Sequence, residues 1–373
     1  MSGTRKGWGV VGLAALAGGA ALAWFGRDVP RAMGGKVSGE RAERVRRSPQ
    51  WRDGRFQNTI PTLTMPSNTA KLAHDAFFGG QVRRPKQDIP IVDAAPSMDA
   101  SGLHVTWYGH ASVLVEIEGA RVLIDPIWSD RCSPSQEIGP KRLHRTPVAV
   151  DMLPDVDAIL ISHDHYDHLD MATVQELVRS QDAPFVVPLG VGVHLEAWQV
   201  PAHRIIELDW HEDVTLPRDG GDLHLVCTAA RHFSGRGLKR DGTLWASWVI
   251  EAGERKVFYT GDSGYFDGYA EIGAQHGPFD VTLIQIGAYG DAWPHIHMFP
   301  EEGVAAHLDV RGGLMIPVHW ATFNLAFHDW AEPVDRVWLE AKARGVQLAI
   351  PRPGERIDVD APPPVDGWWQ AVA

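Results

Sequence analysis

The chain has 373 residues, of which 44% are hydrophobic and 22% are charged, as expected for one large or two small folded domains. Lys and Arg total 35 against 47 Asp and Glu, and the net charge of -12 disfavours nucleic acid as a partner. Only Cys132 and Cys227 occur, outside any Cys-x-x-Cys pair, so we expect neither a disulfide framework nor a thiolate zinc site.

The N-terminal region contains an uncharged stretch, GWGVVGLAALAGGAALAWFG, at residues 7–26. A helix of roughly twenty residues can cross a bilayer, while the basic residues before the stretch and the tripeptide at 21–23 are typical of a signal peptide. We predict that residues 1–28 are a membrane anchor or a signal peptide, and that the protein is membrane-associated through them. The cations of residues 27–47 favour a cytoplasmic arm, whereas a cleaved signal would export it, so the side of the membrane stays open.

The next segment lacks a sustained hydrophobic period. From residue 51 to about residue 100 it is rich in Pro and polar residues. We therefore predict that residues 29–100 form an extended arm, that residues 101–352 form the main domain, and that residues 353–373 are a C-terminal tail.

From residue 104 onwards strand and helix patterns alternate. HVTWYGHASVLVEIEGARVLID predicts strands with a turn at Glu118-Gly119, and VDAILIS predicts a further buried strand. MATVQELVRS has helical spacing with Asp170 as its N-cap. Later segments predict the strands LHLVCTA, KVFYT, VTLIQI and LMIPV and the helix PEEGVAAHLDV. The alternation indicates an α/β fold.

The stretch SHDHYDHLD, at residues 162–170, places three His and three Asp directly after a buried strand. His163 and His165 can point to one side, while Asp167 and His168 lie where the chain turns into the next helix. Imidazole and carboxylate are good ligands for a borderline dication such as zinc. Burying so many polar groups is costly unless one or two dications pair with them, so a metal site explains the density.

Two metals need more ligands than this segment supplies. His232, Asp262 and His319 each follow a predicted strand, at the point where it leaves the sheet. Asp262 lies between glycines in TGDSG, and a carboxylate there can bridge two cations about 3.5 to 4 Å apart, which suits hydrolysis through a shared hydroxide.

These motifs resemble those of the metallo-β-lactamase superfamily. HASVLVEIEGARVLIDP, SHDHYDHLD, ARHFSGR, YTGDSGY and PVHW occur in that family's order, over residues 103–351. Within the superfamily, ELDWHE, LWASWVI, FDVTLIQIGAY and HMFPEEGV resemble N-acylphosphatidylethanolamine-hydrolysing phospholipase D and its bacterial relatives. The resemblance implies a four-layer αββα sandwich with a dinuclear zinc site at one edge.

The resemblance also implies roles for individual residues. Two zinc ions per chain would be held by His163, His165 and His232 on one ion, by Asp167, His168 and His319 on the other, and by Asp262 between them. The implied catalytic residues are Asp167, which would orient the nucleophile, Asp262, and His297, which would donate a proton to the departing alcohol. We expect His110 and Asp125 to lie behind the ligands and fix their tautomers.

The implied reaction is hydrolysis of N-acylphosphatidylethanolamine-like membrane lipids to phosphatidic acid and an N-acylethanolamine, with a phospholipid substrate and the membrane as partners. His295 and the segment GDAWPHI depart from the mammalian pattern, so the lipid stays open. The main alternative is a lactonase or another ester or amide hydrolase on the same dinuclear site. The excess of acidic over basic residues disfavours a nuclease. The presence of a suitable ligand at every implied metal position disfavours a membrane-tethered scaffold without activity. Homodimer formation is left open.

Overall fold

The computed structural model describes residues 29–65, 74–75, 78–93 and 99–373. The predicted anchor or signal segment, residues 1–28, lies outside these ranges. Within the described ranges, no helix has both the length and the apolar character that crossing a membrane requires.

The described chain alternates strands and helices. The strands are β1 (Trp51–Arg52), β2 (Arg55–Phe56), β3 (Leu103–Gly109), β4 (Ser112–Ile117), β5 (Ala120–Ile124), β6 (Ala158–Leu160), β7 (Phe185–Pro188), β8 (Ile205–Leu208), β9 (Asp213–Leu216), β10 (Leu223–Thr228), β11 (Ser247–Ala252), β12 (Arg255–Tyr259), β13 (Phe279–Gln285), β14 (Gly312–Val318), β15 (Gln347–Leu348) and β16 (Arg356–Asp358). The helices are α1 (Gly39–Arg47), α2 (Met171–Ser180), α3 (Gly192–Ala197), α4 (Gly268–Gln275), α5 (Pro300–Asp309), α6 (Glu332–Arg344) and α7 (Trp368–Ala371).

Two seven-stranded sheets with the same pairing pattern form the centre of the molecule. The first has the order β16-β3-β4-β5-β6-β7-β8, with antiparallel pairs as far as β5 and parallel pairs beyond it. The second has the order β15-β14-β13-β12-β11-β10-β9, with parallel pairs from β15 to β12 and antiparallel pairs from there to β9. In each sheet, several strands therefore end at the same edge.

The β4–β5 hairpin shows how the sequence dictates the first sheet. Its two-residue turn is Glu118-Gly119, as predicted, and both residues have positive φ angles, 45° and 79°, as a type I′ turn requires. The side chains then alternate between the two faces of the sheet. Val113 and Val115 lie in the core between the sheets, whereas Leu114 lies in the cluster beneath the helices.

Helices cover the outer faces of both sheets. Val174 and Leu177 of α2 share a buried cluster with Ile159 and Phe185 of the first sheet. Helices α5 and α6 lie against β13, β14 and β15 of the second sheet and bury residues such as Val304. The predicted α/β class is therefore confirmed.

The C-terminal segment differs from the predicted tail. Strand β16 pairs with β3 in the first sheet, with Ile357 opposite Val105, and the rings of Trp368 and Trp369 are buried in the core. Residues 353–373 therefore belong to the domain. The short apolar pieces between prolines gave no periodic signal, because a three-residue edge strand is too brief to show one.

The predicted arm also contains regular structure. Helix α1 lies against the domain through Arg41, which binds Glu196 and Glu207, and the β1–β2 hairpin follows it. Beyond this hairpin, residues 57–65 have no regular structure, and they contact the domain through Asn58, which binds His232, and Pro61, which binds Arg231.

Candidate metal centre

The predicted metal ligands come together at one edge of both sheets. His163, His165, Asp167 and His168 lie in the loop after β6 of the first sheet. His232, Asp262 and His319 follow β10, β12 and β14 of the second sheet. Carboxyl ends of strands are where α/β proteins commonly build their sites, because the loops there converge.

Four residues form the first group of candidate ligands: His163, His165, His232 and Asp262. Nδ1 of His165 is 2.8 Å from Nε2 of His163 and 3.2 Å from Nε2 of His232. Both of those Nε2 atoms are 3.8 Å from Oδ2 of Asp262. The three imidazoles therefore point at one small volume with the carboxylate beside it.

The second group consists of His110, Asp167, His168 and His319. Oδ2 of Asp167 is 3.0 Å from Nε2 of His110, 3.4 Å from Nε2 of His168 and 3.2 Å from Nε2 of His319. Asp262 reaches this group too, with Oδ2 3.1 Å from His168 and Oδ1 3.2 Å from His319. Asp262 thus faces both groups, and His110 lies closer to the centre than expected.

The chemistry of these residues fits bound dications. Nε2 of His168 and Oδ1 of Asp262 are buried and make no hydrogen bond within the described ranges. Buried polar atoms normally have partners, so two such atoms at one centre favour a bound ligand there. The donors are imidazole nitrogens and carboxylate oxygens, which suit zinc, and both cysteines are buried outside the two groups.

The ionisation states of the cluster also favour bound dications. Burial lowers the pKa of His163 and of His232 well below the usual value, which leaves the neutral imidazoles that bind metals. For Asp262, burial acts to raise the pKa, but His168 and His319 outweigh it and hold the pKa well below the usual range. Burial also opposes protonation of His319, yet Asp262 and Asp167 raise its pKa to about 9. The carboxylates therefore stay ionised and attract positive charge.

Asp125 lies behind His168 and fixes its ring. Its Oδ2 accepts hydrogen bonds from Nδ1 of His168 at 2.7 Å and from the hydroxyls of Ser162 and Tyr259 at 2.5 Å each. Its Oδ1 accepts from the backbone N–H of Ser162 at 2.7 Å. With Nδ1 committed to Asp125, only Nε2 of His168 is free to face Asp262.

Three residues of this edge have left-handed backbone conformations. The φ angles are 52° for His110, 39° for Asp125 and 66° for His319. Such angles are uncommon outside glycine and cost about 1 to 3 kcal/mol each. The surrounding fold over-determines these conformations, which is typical of residues held in place for a site.

His297 lies beside the two groups. Its ring centroid is 5.1 Å from that of His232 and 5.4 Å from that of His319, and its Nε2 is 3.9 Å from Oδ2 of Asp262. Burial lowers its pKa to about 4, although Asp262 opposes the shift, so the ring is neutral at pH 7. His295, in contrast, accepts a hydrogen bond from the backbone N–H of Leu63 at 3.1 Å and contacts the arm.

Several buried indoles hold the loops of the site. The Nε1–H of Trp107 donates to the carbonyl of His110 at 2.8 Å, and that of Trp248 donates to the carbonyl of Ile161 at 3.1 Å. Trp245 donates to the carbonyl of Ala230, two residues before His232, at 3.0 Å. Tryptophan richness was visible in the sequence, but composition does not show which carbonyls the indoles meet.

Asn58 was not among the site residues predicted from the sequence. This residue lies in the predicted arm, and its side-chain amide binds the backbone of His232. No metal-ligand or catalytic motif surrounds Asn58 in the sequence, and the two residues in contact lie far apart along the chain. A local pattern therefore could not predict this contact.

Comparisons with known proteins agree on the family. Residues 120–320 match the family described as Beta-lactamase superfamily domain. An uncharacterised protein of Mycobacterium tuberculosis is 48% identical over 368 residues, which cover 96% of this chain and 97% of that protein. The N-acyl-phosphatidylethanolamine-hydrolyzing phospholipase D 1 of Caenorhabditis elegans is 36% identical over 246 residues, which cover 64% of this chain and 69% of the worm protein.

The fold is also found among solved structures. Igni18, a metallo hydrolase of the archaeon Ignicoccus hospitalis, superposes with a TM-score of 0.53 at 22% identity, over 68% of this chain and 97% of that one. At this identity the likeness concerns the fold alone.

Proposed function

Because this chain belongs to the beta-lactamase superfamily and is a metal-dependent hydrolase of that fold, we propose that it hydrolyses N-acylphosphatidylethanolamine-like lipids. Water would replace the N-acylethanolamine on phosphorus, which gives phosphatidic acid and the free N-acylethanolamine. The observation that carries the proposal is the pair of ligand groups, both of which Asp262 faces. Similarity to the worm phospholipase supports the substrate class.

We assign the two groups to two zinc ions. His163, His165 and His232 would hold one, Asp167, His168 and His319 the other, and Asp262 both. When bound, two such ions supply a water with a pKa of about 7 and neutralise charge on the phosphate.

Two further side chains have roles in this proposal. The Asp167 side chain is 13% exposed, so its carboxylate can accept a hydrogen bond from the attacking water and orient it. The neutral ring of His297 is 12% exposed and can donate a hydrogen bond to the departing oxygen. The proton released by the water ends on the N-acylethanolamine hydroxyl, so the reaction needs no external acid.

The surroundings of the site support a membrane as partner. Met65 is 60% exposed, Ile138 68%, and Leu238 fully exposed. Arg240 links two of these segments, because its Nη1 donates to the carbonyl of Thr64 at 2.9 Å. We call Met65, Ile138 and Leu238 the apolar rim. Exposed apolar side chains beside cations are typical of surfaces that meet anionic lipid.

The apolar rim lies close to the metal centre and to Val29, at the start of the described chain. Arg240 covers the ring of Phe233, which is 4.5 Å from the ring of His165. A cavity of about 250 Å³ beside Tyr166 is lined by residues 133–137 and by Val29. We propose that the uncharged residues 7–26, as anchor or signal peptide, approach the membrane on this side.

The decisive experiment combines product analysis with isotopic labelling. Zinc-loaded protein is incubated with N-acylphosphatidylethanolamine vesicles in ¹⁸O-labelled water, and the products are identified by mass spectrometry. We expect label in phosphatidic acid and not in the N-acylethanolamine, because water attacks phosphorus. Release of neither product, together with zinc-dependent opening of lactones or cleavage of other esters or amides, would favour the alternative hydrolase.

A further inference from the structure

Asn58 binds both backbone groups of a candidate metal ligand. Its Nδ2 donates to the carbonyl of His232 at 2.8 Å, and its Oδ1 accepts from the backbone N–H of His232 at 3.0 Å. The same oxygen accepts from Nε1 of Trp245 at 3.2 Å. One side chain thus gives His232 the two backbone hydrogen bonds that a neighbouring strand would provide.

His232 needs such support because it lies outside the strands. It follows β10 in the loop that leads to β11, where no ladder of backbone hydrogen bonds orders the chain. Its ring is fixed separately, since Nδ1 donates to the carbonyl of Ile296 at 2.8 Å. With backbone and ring both held, Nε2 points towards His165 and Asp262.

We propose that Asn58 is a positioning residue of the metal centre: it fixes the backbone of His232 and so holds that imidazole where the first ligand group binds its ion. Outer contacts of this kind orient ligands before the ion arrives, and their loss weakens metal binding without removing a ligand. The inference rests on the assignment of two ions proposed above and is independent of the lipid substrate.

The arm around Asn58 is anchored by other contacts. The backbone N–H of Phe56 donates to the carbonyl of Asp241 at 2.9 Å. The Arg231 guanidinium donates to the carbonyl of Pro61 at 3.0 Å and to Oγ1 of Thr62 at 3.1 Å. A substitution at Asn58 should therefore leave the arm in place, and its effect on metal binding can be separated from detachment of the arm.

The test compares four variants of the full chain with the wild type: Asn58→Ala, Asn58→Asp, Gln57→Ala and Thr62→Val. Gln57 is a matched control because its amide bonds stay within the hairpin, to Arg52 and Asp53. Thr62→Val removes an anchor of the same arm without touching His232. Metal-free protein is titrated with cobalt(II), followed by the visible absorption of the bound ion and by competition with a chelator.

We expect the wild type and both controls to bind two ions with the same affinities. Asn58→Ala and Asn58→Asp should bind one of the two ions about tenfold to a hundredfold more weakly, with an altered absorption spectrum. Asn58→Asp keeps the size of the side chain but places an oxygen against the His232 carbonyl, so it carries the test if the alanine variant does not fold. The unfolding midpoint of each metal-free protein shows which variants are folded.

Equal cobalt affinities and spectra for the wild type and both Asn58 variants would contradict the inference alone. An equal weakening by Thr62→Val would also contradict it, since docking of the arm as a whole would then be responsible. Failure of the wild type to bind any cobalt would instead overturn the proposed assignment of two ions, and this inference with it.

Discussion

Nε2 of His168 lies 3.1 Å from Oδ2 of Asp262, and both side chains are buried. The contact joins a loop of the first sheet to a loop of the second, so the two ligand groups meet there. Burial opposes protonation of His168, but Asp262, Asp167 and Asp125 raise its pKa well above the usual value, so a bound ion would take the place of that proton beside the Asp262 carboxylate. Asp262 is therefore the residue whose charge should matter most for metal binding.

Asp262→Asn keeps the shape of the side chain and removes the charge that both ligand groups share. We expect the metal content after zinc-supplemented expression to fall below two ions per chain, and turnover to fall at least about a hundredfold, as when a main electrostatic element of a site is lost. Elemental analysis and product assays measure both. Asp213→Asn, an exposed position paired with His224, is the control and should change neither.

Asp125→Asn tests the support behind His168. Asn tolerates the left-handed backbone of this position, so the change isolates the hydrogen bonds. Its amide cannot accept all the donors that surround Asp125, and we expect zinc affinity to fall about tenfold to a hundredfold. Tyr259→Phe removes a single donor and should cost less. Chelator competition measures the affinities; unchanged affinity for Asp125→Asn would rule out this role.

Substitutions of His297 separate hydrogen bonding from proton transfer. Because burial lowers its pKa to about 4, we expect the ring to act as a neutral donor at pH 7. His297→Gln keeps a neutral N–H donor and should retain more activity than His297→Ala on the natural lipid. An activated aryl phosphodiester, whose leaving group needs little help, should be affected less by either change. Equal losses for Gln and Ala would indicate that the imidazole itself transfers a proton.

Zinc affinity should increase with pH between 7 and 9. The pKa of His319 in the metal-free protein is raised to about 9, because Asp262 and Asp167 outweigh its burial. Below that pKa the ring holds a proton that zinc must displace, and above it this competition fades. Asp262, Asp167 and Asp125 also outweigh burial at His168 and raise its pKa well above the usual value, so that ring adds a second competing proton. Calorimetric titrations in buffers of different ionisation enthalpy should therefore detect protons released on binding at pH 7. Affinity that is constant over this range would contradict the assignment of His319 as a ligand.

The apolar rim should matter only for substrates in a bilayer. Leu238→Ser and Ile138→Ser change exposed side chains, so stability should hardly change. We expect slower turnover of vesicle lipid and normal turnover of a short-chain, monomeric analogue. Leu339→Ser, on α6 and 63% exposed, is the matched control. A loss on both substrates would mean that the rim acts on the metal centre and not on docking.

Much of the centre could be predicted from the sequence because each ligand follows a recognisable strand. The strand patterns of β3 to β5, the Glu118-Gly119 turn and the Asp170 cap of α2 are local signals, and the structure confirms them. Ligand types at strand ends then led to one cluster, since strands of the same direction end at the same edge. Local patterns were sufficient for these features.

The remainder depends on contacts between distant parts of the chain. Two contacts join distant segments: β16 pairs with β3, and the Asn58 side chain binds the backbone of His232. The local sequence of one segment does not predict its contact with the other. The order of the strands within each sheet is likewise a property of the assembled core. The placement of His110 directly at Asp167 became visible only once β3 and β6 had been brought together.

The ligand groups contain residues from loops of both sheets, from His163 to His319. Metal binding should therefore affect how fast the protein itself is degraded. An ion bound there is a removable cross-link that closes a long loop of the chain. Ligands that bind only the folded state stabilise it, by about 4 kcal/mol at a thousandfold excess over the dissociation constant. Removal of the ions by a chelator should therefore lower the free energy of unfolding and speed cleavage by proteases. The lifetime of the protein would then depend on the supply of metal.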